Sequence, residues 1–384
     1  MRKFKKIAII YDWMDKWGGV ERVLLILQEI FPQSDFFTSY FDPEKAAWAK
    51  DLSIKTSFIQ KLPPFLRRSR IASLPFYPFA FESFDFSEYE LVISVTSSFA
   101  KSVITKPETF HLCYLLTSTR FLWTSADIYL KKRLIKAMLF PYLEKLRVWD
   151  FIAGQRPDKI VSVSQSVADR CRKFYKRDSE VIYPPFDKDH WNRVKSEVRS
   201  SKLETNSKLK YFSSKQKYFL VVSRLEPYKK VELAVQSFNR LDDVNLVVVG
   251  EGSEKNKLKK IAKDNIFFVS NITDAQLGYL YSQAQALVMP QDEDFGYVSL
   301  EAQFFGCPVI AYHQGGAVET VIDGKTGIFF DRQNQDALTV MIKKYDMIKY
   351  ELKKTTKEYG VKNAEKFEKS IFKSLFLSAL KKKN

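Results

Sequence analysis

Cysteine and histidine are scarce in this chain, with three of each in 384 residues. The cysteines, Cys113, Cys171 and Cys307, are odd in number and lie in apolar or helical surroundings without metal-ligand spacing. A disulfide scaffold and a cysteine metal site are therefore excluded, and the chain reads as reduced and cytosolic. Long apolar runs are absent too, since none reaches the roughly 18 residues of a membrane span. The basic opening Met1-Arg2-Lys3-Phe4-Lys5-Lys6 leads into a short strand, not into the apolar core of a signal peptide. There is no short-period repeat. Nor does a Gly-x-Gly-x-x-Gly turn follow the first strand, as a Rossmann oxidoreductase requires; the glycines there are Gly18-Gly19.

Positive charge is what the chain has in excess. Lys and Arg number 62 against 45 Asp and Glu, a formal net charge of +17. That points to an anionic partner (nucleic acid, anionic lipid or phosphorylated substrate) or to a lysine-rich solvated surface. No nucleic-acid motif accompanies the charge, so nucleic acid is not expected as a partner. Two segments mix bases with aromatics: Phe58 to Arg70, continuing from Pro75 to Phe81, and Tyr129 to Lys136. Both suit a surface resting on anionic lipid headgroups, and the competing reading is helices with aromatics inward and bases outward.

Strands and helices alternate along most of the chain, which predicts an α/β protein with parallel sheets. Strands are expected at Lys6–Tyr11, Asp35–Tyr40, Leu91–Val95, Phe110–Leu116 and Ile160–Ser164; Val181-Ile182-Tyr183 follows a helix, and the double proline Pro184-Pro185 closes the first half. From Asp187 to Lys217 the sequence is rich in Lys, Ser and Asn with little periodicity, the pattern of a linker or surface excursion. The alternation then restarts at Tyr218–Val222, Asn245–Val249, Ile266–Val269, Ala286–Met289, Pro308–Ala311 and Ile328–Phe330. The tail from Val361 to Lys383 is helical and basic.

One stretch concentrates the chemistry. A strand ending at Met289 runs through Pro290 into Gln291-Asp292-Glu293-Asp294-Phe295-Gly296 and then into a helix carrying Glu301. Open α/β sheets bind ligands where a strand's carboxyl end feeds a helix N-terminus. The amides of Tyr297, Val298 and Ser299 would there suit a phosphate. Two carboxylates beside an anion site call for a ligand with hydroxyls as well as phosphates, which a nucleotide sugar has. Arg224 with Lys229, Gly250-Glu251-Gly252 and Gly315-Gly316 also follow strand ends and should reach the same rim. A contact from Arg224 or Lys229 to a diphosphate is worth roughly 4 kcal/mol at about 4 Å and an effective dielectric of about 20, before desolvation. It would stabilise a departing nucleoside diphosphate without a metal. The competing reading for either cation is an ion pair with Glu226 or Glu232. Asp292-Glu293-Asp294 contains an Asp-x-Asp pattern, but its place before Phe-Gly in a Rossmann-like context argues against a metal site.

Ser223-Arg224-Leu225-Glu226-Pro227-Tyr228-Lys229-Lys230, Glu293-Asp294-Phe295-Gly296 to Glu301, Gly306-Cys307-Pro308 and Gly315-Gly316-Ala317-Val318-Glu319 together resemble glycosyltransferase family 4. Gly18-Gly19-Val20-Glu21-Arg22, Arg156-Pro157-Asp158 and Tyr183-Pro184-Pro185 extend the resemblance into the first half. Within the family the chain is most similar to the bacterial O-antigen and exopolysaccharide mannosyltransferase-like branch. The resemblance implies the GT-B fold, with two Rossmann-like domains facing across a cleft and a C-terminal helix crossing back to the first. The expected parts are an acceptor-binding domain at 1–187, a linker at 188–217, a nucleotide-sugar domain at 218–360 and the returning helix at 361–384. The implied activity is retaining and metal-independent hexosyl transfer, mannosyl above all, from a nucleoside diphosphate sugar, with GDP-mannose favoured and no cofactor. The acceptor would be lipid-linked or a polysaccharide, and the enzyme cytoplasmic, peripheral on the inner face of the plasma membrane.

Residue by residue, Arg224 and Lys229 match the basic pair that holds the donor diphosphate. Glu301 matches the carboxylate on the ribose hydroxyls, and Glu293 the acid beside the transferred sugar. Gly252, Phe295, Gly296, Tyr297, Val298 and Ser299 fall in the donor-binding loops. Gly18 and Gly19 match the first-domain loop that closes over the phosphates and acceptor. The branch usually reads Cys-Tyr-Cys-His-Thr-Pro, and here Cys113-Tyr114-Leu115-Leu116-Thr117-Ser118 puts Leu116 at the histidine. His111 is five residues away and so faces the other side of the strand. Either Arg120 and backbone groups suffice, or the donor is a deoxysugar, or activity is weakened or lost. In the last case the chain is a nucleotide-sugar-binding protein without transfer. A GT-B sugar epimerase would need acid-base residues that have no visible candidates.

Overall fold

The computed structural model describes residues 4–124, 133–199 and 217–381, the side chains of 133–139 excepted. Part of the second basic segment (129–132) and of the expected linker (200–216) lies outside the described residues. Two compact units emerge. One comprises Met1–Pro185 and Phe372–Asn384, the other Phe186–Ile371.

In the first unit Ile7–Tyr11 (β1), Asp35–Thr38 (β2), Ile54–Thr56 (β3), Leu91–Thr96 (β4), Phe110–Leu115 (β5), Lys159–Ser162 (β6) and Glu180–Val181 (β7) form one sheet. Its order is β3-β2-β1-β4-β5-β6-β7, and every pairing is parallel. Alternate residues of β1 serve opposite faces. Ile9 and Tyr11 join Val23, Leu24 and Leu27, while Ala8 and Ile10 join Phe37, Phe81 and Phe99. Burial on both faces is why these strands read as unbroken apolar runs.

In the second unit Tyr218–Val222 (β8), Asn245–Val249 (β9), Ile266–Val269 (β10), Leu287–Met289 (β11), Val309–Tyr312 (β12) and Gly327–Phe330 (β13) are again all parallel. Their order is β10-β9-β8-β11-β12-β13. Each sheet thus reverses direction beside its first strand, between β1 and β4 and between β8 and β11. Ligands of doubly wound sheets bind outside the strand ends at that reversal.

Two expectations are corrected. Residues Lys188–Arg199 form a helix of the second unit, with Trp191 and Val194 buried. His190 contacts Asp274 at 2.9 Å and Lys195 donates to the Phe304 carbonyl at 3.0 Å. Its apolar stripe is Trp191, Val194 and Val198 alone, too short to stand out in a segment rich in Lys, Ser and Asn. The C-terminal segment is not one helix from 361. A helix Gln335–Glu365 ends within the second unit, and a separate helix Lys369–Ala379 follows. Phe372 and Phe376 of the latter pack on Tyr114 in the first unit's core, with centroids 5.8 and 6.1 Å away.

Candidate functional site

The loops leaving β8, β9, β11 and β12 lie on one rim of the second unit's sheet, because all four strands are parallel neighbours. They are clamped in pairs. The Gly316 amide donates to the Glu293 carbonyl at 2.7 Å, and a parallel bridge joins Glu293 to Gly315. A Cβ on Gly316 would fall 2.4 Å from the Phe295 Cα, so only glycine lets these loops meet. On the other side of the reversal the Leu225 amide donates to the Glu251 carbonyl at 2.8 Å. A Cβ on Gly252 would lie 2.4 Å from the Leu225 carbonyl oxygen. Gly252 is therefore placed as a packing residue between the first two loops.

Across the reversal point, Lys229 meets Glu293. The Lys229 Nζ donates to Glu293 Oε1 at 2.7 Å and to Oε2 at 2.5 Å. Their side chains are only 11% and 21% exposed, so solvent screens the pair less than a surface one. Gln291, 2% exposed, adds a bond from Nε2 to Glu293 Oε2 at 3.2 Å. The nearer acids are engaged elsewhere. Glu226 accepts from the Ser253 amide and hydroxyl at 3.2 and 2.7 Å, and Glu232 pairs with Lys257. Arg224 is exposed and donates to the Tyr228 hydroxyl at 2.7 Å. The Tyr228 ring lies 5.9 Å from the Arg224 guanidinium and 5.3 Å from the Lys229 ammonium. It therefore spaces the two cations while attracting both. Neither Tyr228 nor Gln291 was singled out by sequence, although Tyr228 sits between the two bases in the motif.

The helix Tyr297–Phe304 starts at Gly296, whose φ of 87° and ψ of 61° are left-handed and favour glycine. The Tyr297 and Val298 amides belong to its open first turn. The outward Ser299 amide is a correction, since it donates to the Gly296 carbonyl at 3.0 Å. Its hydroxyl is also turned inward, 2.7 Å from Thr320 Oγ1. Phe295 is buried against Tyr297 and Phe367 at 5.2 and 5.4 Å. Glu301 is 3% exposed and accepts from the Tyr281 hydroxyl at 3.1 Å. His313 contacts Asp331 at 2.7 Å and stacks on Phe329.

Gly18, Gly19 and Arg120 belong to the first unit. Gly18 caps the helix Gly19–Ile30, which leaves the carboxyl side of β1. Arg120 opens the short helix Arg120–Trp123 after β5. The first unit also holds two buried carboxylates that the sequence left unassigned. Asp12, fully buried, accepts from the Ser97, Ser98, Phe99 and Ala100 amides at 2.7 to 3.1 Å and ties β1 to β4. Asp150 accepts from Lys101, Thr119, Trp123 and Tyr175 at 2.6 to 2.9 Å, and burial with this anion pushes the Tyr175 phenol up. Leu116 is 8% exposed and packs in the first unit's core. His111 is fully buried, with Nε2 2.8 Å from Ser94 Oγ.

Part of the second unit is similar to a known family. Residues 204–363 match the family model described as glycosyl transferases group 1. This segment is similar to group 1 glycosyl transferases. Curated proteins similar to the chain include the GDP-mannose-dependent alpha-(1-6)-phosphatidylinositol monomannoside mannosyltransferase of Mycolicibacterium smegmatis. That match is 33% identical over 138 residues, covering 32% of this chain and 36% of that protein. The alpha-1,3/1,6-mannosyltransferase ALG2 of Dictyostelium discoideum is 28% identical over 193 residues, covering 43% and 46%. The chain thus spans less than half the length of these relatives. Over the whole chain the fold is that of Anabaena Alr3699/HepE, solved in complex with UDP, with a TM-score of 0.69, 15% identity and coverage of 98% and 99%. Sucrose-phosphate synthase from Thermosynechococcus elongatus gives 0.69 at 18% identity, with 97% of each chain covered. The chain's two parallel Rossmann-like sheets, of seven and six strands, and this likeness over its whole length give it the GT-B fold.

Proposed function

We propose that the protein is a retaining, metal-independent glycosyltransferase that takes a hexosyl group, mannosyl in the first instance, from a nucleoside diphosphate sugar. The observation that carries this reading is the meeting of Lys229 and Glu293 across the sheet reversal, with Arg224 beside them. A diphosphate recognised by Arg224, Lys229 and the first turn at Gly296 would leave the sugar beside Glu293. The diphosphate then departs against the two cations. The acceptor hydroxyl enters on the same face of the sugar and gives its proton to the leaving phosphate. GDP-mannose is the favoured donor, because a matched relative is named as GDP-mannose-dependent. Arg120 and the Gly18-Gly19 loop are assigned to the first unit's part in the reaction by the family resemblance alone.

The acceptor is read as lipid-linked or polysaccharide, met at an anionic membrane surface. Phe65, Ile71 and Phe79 are 73%, 68% and 65% exposed among the exposed bases Lys61, Arg68 and Arg70, while Ile59, Tyr77 and Phe81 turn into the core. The segment therefore divides its aromatics between core and surface, as an interfacial element does. No helix among the described residues is long and apolar enough to cross a membrane.

Calorimetry of GDP-mannose, UDP-glucose and a deoxysugar nucleotide, without metal, tests the donor reading. One donor should bind, and Arg224→Ala should weaken it by about ten- to a hundred-fold, the loss of a charge-assisted contact. Failure of every donor to bind folded protein would refute it. Preference for the deoxysugar would account for Leu116.

A further inference from the structure

In the ligand-free site the cation expected to hold the diphosphate is already held by the acid expected to face the sugar. Lys229 Nζ has Glu293 oxygens at 2.5 and 2.7 Å. Gln291, itself buried, bonds the same carboxylate and hinders it from swinging away. A diphosphate arriving at Lys229 must therefore share one ammonium with a second anion. Like charges around one partly buried cation repel, and the repulsion persists because solvent screens it little.

We propose that Glu293 discriminates the intact sugar nucleotide from the nucleoside diphosphate product by competing with the diphosphate for Lys229. The proposal rests on the donor reading above. A bound sugar nucleotide brings hydroxyls that donate to the carboxylate, and hydrogen bonds to an ionised acceptor are strong ones. Those bonds replace what Glu293 gives up when Lys229 turns to the phosphates. The product brings no such donors, and its terminal phosphate carries additional negative charge. It meets the carboxylate with no hexosyl hydroxyl donors of its own to offset the repulsion, and is expelled. Glu293 thus serves the reaction twice, receiving the sugar before transfer and ejecting the nucleotide after it.

The test is the Kd of GDP against GDP-mannose, and of UDP against UDP-glucose, for wild type, Glu293→Gln and Glu293→Ala. Circular dichroism and thermal melts confirm that the variants are folded. For whichever pair binds, Glu293→Gln should tighten the nucleoside diphosphate by about ten-fold or more. The sugar nucleotide should hold its affinity or weaken, so that the ratio of the two constants collapses. Glu293→Ala should move the ratio in the same direction. An unchanged ratio, or a product weakened as much as the donor, overturns the proposal while leaving the donor reading standing. A wild type that binds neither member of either pair takes both down.

Discussion

His111 is held neutral by its surroundings. Burial, with Arg156 and Arg177 nearby, lowers its pKa from the usual 6.5 to about 3. Between those values only the unfolded chain takes up the proton, so stability is full above about pH 6.5 and falls as pH drops towards 3. The slope is about 1.4 kcal/mol per pH unit. His111→Gln should lose about 2 to 3 kcal/mol less than wild type between pH 6.5 and 4.5, as urea unfolding midpoints would show. Equal slopes would mean that other groups dominate. At this scale the sequence was only partly legible. Arg224, Lys229 and Glu293 were found through a motif, but their pairing was not. Lys229 and Glu293 are 64 positions apart, while Glu226 and Glu232 are close neighbours in the chain. Only the fold decides between a near acid and a distant one, and here it uses the near ones to hold Ser253 and Lys257.

Loops and elements behave differently. The paired glycines at 315 and 316 were legible as a motif, and the structure gives them a physical role in seating one loop on another. Gly316→Ala would drive its Cβ into the Phe295 backbone at 2.4 Å. It should cost about 2 kcal/mol in thermal unfolding and also weaken donor binding, because Glu293 is anchored to the same contact. Intact donor affinity in that variant would show that the loops are independent. The strands were readable because burial on both faces leaves an apolar run, as in Tyr218–Val222 and Asn245–Val249. The helix Lys188–Arg199 was not, because its apolar stripe is only Trp191, Val194 and Val198, and its other anchors are polar contacts to residues distant in the chain. The strand Ile54–Thr56 was missed for a related reason: it is three residues long and none of them is fully buried.

At the scale of the molecule, the chain passes from one unit to the other twice, after Pro185 and again after Ile371. The first unit's core is completed by Phe372 and Phe376, 1% and 0% exposed. Phe376→Ala should destabilise that unit by about 3 to 5 kcal/mol and leave nucleotide affinity in the second unit unchanged. Calorimetric unfolding alongside donor titration would separate the two effects, and a loss of both together would mean that the units unfold as one. The same connection orders events on the ribosome. The first unit's other residues have all been made by Pro185, yet its last helix follows only after the whole second unit, Phe186–Ile371. At about 5 to 20 residues per second, that interval lasts about 10 to 40 seconds. For that time the apolar groove over Tyr114 is uncovered on a nascent chain. The unit whose residues come earlier in the sequence is thus completed only after the other has been made.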